Sequence, residues 1–95
     1  MNLIDSHCHL DVADFDDDLP ETLARAQQAG VDRFIVPAIS AAGWQHLADL
    51  AAKHRGFHPA YGLHPMFLAE HSDDHLDALP DWLKRPECVA VGECG

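Results

Sequence analysis

Two histidines one residue apart, His7 and His9 in DSHCHLD at 5–11, follow directly on the short apolar run Leu3-Ile4. In an extended strand alternate side chains point to one face, so the pair projects together and Cys8 points the other way. Two neutral imidazoles on one side of a strand end can hold a divalent ion, given further donors. The chain offers two more at comparable places: His64 in YGLHP and Glu93 in VAVGECG. A carboxylate can bridge a pair of ions, and two ions about 3.5–4 Å apart activate a water and stabilise the leaving oxygen of a phosphodiester. His7, His9 and Glu93 are therefore the candidate metal ligands. His64 stands between ligand, substrate-binding group and structural residue held by Pro65.

These residues need elements that bring them to one place, and the chain alternates short apolar runs with helical patterns. NLID reads as a first strand. DLPETLARAQQAG reads as a helix with Asp18 as N-cap, Glu21 as its capping-box partner and Gly30 as the stop. RFIVPAI is a second strand, and a second helix runs from Ser40 as N-cap with Trp44, Leu47, Ala48 and Ala51 at helical spacing. FHPAYGLHP is a third strand. SDDHLDALPDWLKR is a third helix from N-cap Ser72, which Pro80 should kink or divide, and CVAVGE is a fourth strand. The order βαβαβαβ predicts an α/β fold with a parallel sheet and crossover helices. In such sheets ligands collect at the carboxyl ends of the strands, and three of the four strands finish on a potential ligand. Small Ala60 and Gly62, of the same parity as His64, leave room beside it.

Composition narrows the classes. A net charge of −10 argues against a broad basic surface for nucleic acid, although bound metal ions can supply positive charge that side chains do not. No run of about 18 apolar residues appears, and the start of the chain has no basic and apolar leader pattern, so a cytoplasmic chain without a membrane span is expected. Three cysteines without a CxxC pair read as reduced thiols, with Cys8 and Cys88 in packing roles. The aspartates of DVADFDDDLP read as helix capping and solvation; Asp11 is the one weighed as a further ligand. His71 and His75 read as a solvated pair, and Trp44, Trp82 and the phenylalanines as core or helix packing.

DSHCHLD at 5–11, GLHP at 62–65 and VGECG at 91–95, in that order, resemble the N-terminal portion of the TatD-type metal-dependent deoxyribonucleases. The resemblance covers all 95 residues. It implies the N-terminal half of a (β/α)8 TIM-type barrel of the amidohydrolase kind, holding two divalent ions (Zn, Mn, Mg or similar) and hydrolysing phosphodiesters, often from a DNA 3′ end. Carried over, His7 and His9 match first-strand metal ligands, Glu93 the catalytic glutamate bridging both ions, and His64 a site histidine facing the substrate phosphate. The family's later ligands, two histidines and an aspartate, would fall beyond residue 95. A complete barrel needs about 250 residues, so residues 1–95 are expected to form one incomplete barrel domain, inactive by itself, with no second domain. DNA or another nucleic acid is the expected substrate. The alternatives are a barrel hydrolase for another ester or amide, and a non-catalytic half-barrel that self-associates through its open sheet edges.

Overall fold

The computed structural model describes residues 2–94. Its strands are β1 (Leu3–Asp5), β2 (Val31–Pro37), β3 (Phe57–Tyr61) and β4 (Ala90–Val91); its helices are α1 (Leu19–Gln28), α2 (Trp44–Lys53) and α3 (Asp73–Leu83). The strands form one parallel sheet in the order β1-β2-β3-β4. Right-handed crossovers stepping always in one direction put every helix on the same face, whereas a doubly wound sheet reverses its order and is covered on both. The core lies between that face and the helices, around Phe34, Val36, Trp44, Leu47, Phe57 and Tyr61, all buried. Among the described residues no helix is long and apolar enough to cross a membrane.

β1, β3 and β4 are shorter than the sequence pattern predicts, β2 has the predicted length but begins and ends two residues earlier, and two of the expected caps do not form. Asp18 makes no side-chain cap bond: its backbone stands at φ −130°, ψ 18°, outside the extended region a capping residue adopts, and Pro20 at the second helical position has no N–H, which leaves Glu21 as the one possible donor; Gly30, at φ 95°, ends the segment as expected. Ser40 caps nothing with its side chain either, since a 3-10 turn over Ala41–Gly43 intervenes and α2 begins at Trp44. Ser72 does cap α3, and its capping-box partner is His75, which is therefore a structural residue rather than a solvated one. Pro80 neither ends nor divides α3. The hydrogen bond it deletes would have gone to Leu76, on the exposed side of the helix, where water is available to the carbonyl. Phe67 also departs from the expected core role: it is 38% exposed, in the turn that follows β3.

One polar cluster ties the approach to β4 onto β3. The hydroxyl of fully buried Tyr61 donates to Glu87 Oε2 at 2.7 Å, Arg85 donates to the same oxygen, and the Arg85 guanidinium lies 4.6 Å from the Trp82 ring centroid. Burial alone would raise the Glu87 carboxyl; the hydrogen bonds from Arg85 and Tyr61 outweigh it and hold the group below its ordinary value of 4.5. A depressed carboxylate contributes stability that is present above its unfolded pKa and lost as pH falls through the folded one. Glu87→Gln is thus expected to lower stability by about 1 kcal/mol at neutral pH and to flatten the loss of stability below about pH 4.5. Urea midpoints measured across pH check this, and an unchanged acid limb in the variant would contradict it.

Candidate metal centre

The four candidate residues reach the mouth of the sheet from three chain segments. His7 and His9 lie just beyond β1, His64 three residues beyond β3, and Glu93 two residues beyond β4. Glu93 Oε1 is 2.9 Å from His7 Nε2 and 3.3 Å from His9 Nε2, and Oε2 is 2.7 Å from His64 Nε2. One ligand atom from each of His7, His9 and Glu93 falls within 4.8 Å of the others. Asp11 is not in this group: it is half-buried, its Oδ1 has no hydrogen-bond partner among the described residues, and burial pushes its carboxyl up.

The strand that carries no candidate ligand organises all of those that do. At the end of β2, the Ile35 carbonyl accepts from the Cys8 N–H at 3.2 Å, which sets the backbone between the two histidines. Pro37 O takes His9 Nδ1 at 3.1 Å, Ala38 O takes the Glu93 N–H at 3.0 Å, and Ile39 O takes the His64 N–H at 2.8 Å. Val36, Pro37 and Ala38 are buried, so this row of acceptors is held by the core. Sequence reasoning had no signal for it, because every residue type offers the same carbonyl.

The hydrogen bonds also assign the imidazole protons. A carbonyl only accepts, so His9 carries its proton on Nδ1 and turns the Nε2 lone pair toward Glu93, the state a metal ligand requires. His64 is the reverse: Nδ1 accepts from the Met66 N–H at 3.1 Å, which leaves the proton on Nε2, facing the carboxylate. His9 is thus poised to donate a lone pair and His64 to donate a proton. Glu93 Oε1 is buried and, despite the two nearby nitrogens, has no hydrogen bond among the described residues. A buried carboxylate oxygen without a hydrogen bond, beside two imidazole nitrogens, suits a shared divalent cation.

His71 is a second residue whose role the sequence pattern missed. Its Nε2–H donates to the His64 carbonyl at 2.8 Å and closes the turn between them, while Nδ1 is buried without a partner among the described residues. A histidine beside an N-cap serine gives no sequence sign of reaching back seven residues. The thiols of Cys8, Cys88 and Cys94 are free, and burial pushes Cys8 up to about 11.

Fold and site together define a class, a curled half-barrel of parallel α/β units with a histidine and carboxylate cluster at the carboxyl ends of its strands. The crystal structure of YjjV, a TatD homologue from Escherichia coli K12, matches with a TM-score of 0.92 at 43% identity, over 98% of this chain and 37% of that one. Residues 4–95 match the family described as TatD related DNase, and the chain belongs to that family. In sequence it is 44% identical over 94 residues to the uncharacterized metal-dependent hydrolase YjjV of E. coli K12, covering 97% of this chain and 36% of the relative. It is 34% identical over 82 residues to the human deoxyribonuclease TATDN3, covering 85% and 30%. To the 3'-5' ssDNA/RNA exonuclease TatD of Cronobacter turicensis it is 30% identical over 93 residues, covering 98% and 35%. The chain therefore spans about a third of the length of these relatives.

Proposed function

We propose that this chain carries part of the centre of a metal-dependent phosphodiester hydrolase acting on nucleic acid, with His7, His9 and Glu93 as ligands and His64 as the contact to substrate phosphate. The buried Glu93 Oε1, lacking a hydrogen bond within reach of two imidazole nitrogens, carries the reading. In this reading Glu93 serves two divalent ions of the Zn, Mn or Mg kind, which supply Lewis acidity at the phosphate when bound. His9 presents its lone pair because Pro37 O holds its other nitrogen, and His64 presents a proton to an anionic oxygen because the Met66 N–H occupies its other nitrogen. The names of the relatives, a deoxyribonuclease and a 3'-5' exonuclease among them, support a DNA 3′ end as substrate and a single barrel domain of which residues 1–95 are a part. Free thiols support a reducing, cytoplasmic setting.

The edges at β1 and β4 are open, with Leu3, Ile4, Val89 and Val91 exposed, and in this reading they take further strands of the barrel or, failing those, a second copy. The test is a chimera in which residues 1–94 replace the matching part of the E. coli relative, compared with this chain alone. The chimera is expected to cleave a 3′-ended oligonucleotide with Mn²⁺ or Zn²⁺, and the chain alone to bind the ion without turnover. A folded, metal-loaded chimera that cleaves p-nitrophenyl acetate but no oligonucleotide would replace this reading with that of an ester or amide hydrolase.

A further inference from the structure

Beside His64 the chain exposes three consecutive large apolar residues: Met66 is 84% exposed, Phe67 38% and Leu68 72%. Single exposed apolar side chains are ordinary on a protein surface, but a consecutive run is not. This run is also held in place. The Met66 N–H donates to His64 Nδ1, the Phe67 N–H to His64 O at 3.0 Å, the His71 N–H to Leu68 O at 3.1 Å, and the His71 ring closes the segment on His64 O at 2.8 Å. The Phe67 ring meets the His64 ring edge-on, centroids 5.2 Å apart at 88°. The apolar tip is therefore built onto the proposed phosphate contact and needs no ordering when a ligand arrives.

From this we infer that the segment from Pro65 to Leu68 is a platform for the bases of the nucleic acid whose phosphate reaches His64; the inference rests on the function proposed above. Charge favours bases as the occupant. The chain carries −10, and no Lys or Arg occurs between Arg55 and Lys84, so this stretch of sequence offers the sugar-phosphate backbone no cation of its own. Affinity at such a place comes from the faces of bases on apolar and aromatic side chains, which tolerates any sequence.

The test titrates the Mn²⁺-loaded chain with 5′-labelled hexathymidylate and with an abasic backbone of equal length, followed by fluorescence anisotropy. The chain is expected to bind hexathymidylate about tenfold more tightly than the abasic strand. In the double variant Met66→Ser with Leu68→Ser, both positions being too exposed to endanger folding, that advantage is lost, while abasic-strand and Mn²⁺ affinities stay unchanged. Phe67→Ala is expected to act in the same direction. Equal binding of both strands by the parent chain overturns the platform and leaves the hydrolase reading standing, as does a variant that loses self-association instead of hexathymidylate affinity. Binding of neither strand by the Mn²⁺-loaded chain overturns the nucleic-acid reading, and the platform with it.

Discussion

Glu93→Gln is expected to lower divalent-ion affinity by at least about a hundredfold, beyond the 10- to 100-fold range of outer-shell changes, with little change in stability. The amide is close to the carboxylate in shape, so packing is preserved, and the backbone bond from the Glu93 N–H to Ala38 O is untouched. What disappears is the charge that sits 2.9 and 3.3 Å from the two imidazole nitrogens of His7 and His9. An amide oxygen is a weak ligand beside a carboxylate, and the two histidines alone leave the ion short of donors. Isothermal titration with Mn²⁺ and Zn²⁺, beside a thermal melt of the metal-free chain, reads both quantities. Unchanged affinity would show that the ion is held elsewhere.

Gly62→Ala attacks the same centre without touching its chemistry. A Cβ at Gly62 would stand 2.6 Å from the Gly92 carbonyl carbon and 2.7 Å from the carbonyl oxygens of Gly92 and Glu93, all backbone atoms that cannot rotate away. Nor can Gly62 retreat easily, because the buried Trp44 Nε1–H holds its carbonyl at 3.0 Å. The end of β4 must shift instead, straining the bonds from the Gly92 N–H to Tyr61 O at 2.9 Å and from the Glu93 N–H to Ala38 O at 3.0 Å. Overpacking of this kind costs about 1–3 kcal/mol, and here it also displaces a proposed ligand. The expected result is a lower urea midpoint together with weaker Mn²⁺ binding. Gly43→Ala, where an added Cβ meets nothing within 4 Å, is the control and should leave both unchanged. A Gly62→Ala chain with parent-like stability and metal affinity would mean that β4 and Glu93 are free to move without consequence.

Much of this protein was legible in its sequence, for local reasons. Apolar runs of strand length alternating with periodic helical stretches pointed to a parallel α/β sheet, because a helix between two strands buries its apolar stripe as a crossover against that sheet. The motifs at 5–11, 62–65 and 91–95 placed two histidines, a third and a glutamate at the ends of three strands; the strands stop short of them, but all four do converge. Caps were legible only where the backbone cooperated: Ser72, extended at ψ 168°, meets a His75 that offers both an N–H and a ring nitrogen, whereas Asp18, at ψ 18°, is not extended and caps nothing.

Tertiary structure alone decided how the site is held. The end of β2 contributes no ligand, yet the Pro37, Ala38 and Ile39 carbonyls fix the His9 proton, the Glu93 backbone and the His64 backbone. His71 reaches back to His64, and Met66 and Phe67 stand at the mouth rather than in the core. Sequence names side chains and their period along one element, and so it determined which groups could do chemistry and at which end of the sheet they gather. Backbone carbonyls are the same in every residue, and contacts between turns from different strands have no period. Which nitrogen of His9 carries its proton, and which oxygen of Glu93 lacks a hydrogen bond, are set only when the folded strands lie side by side.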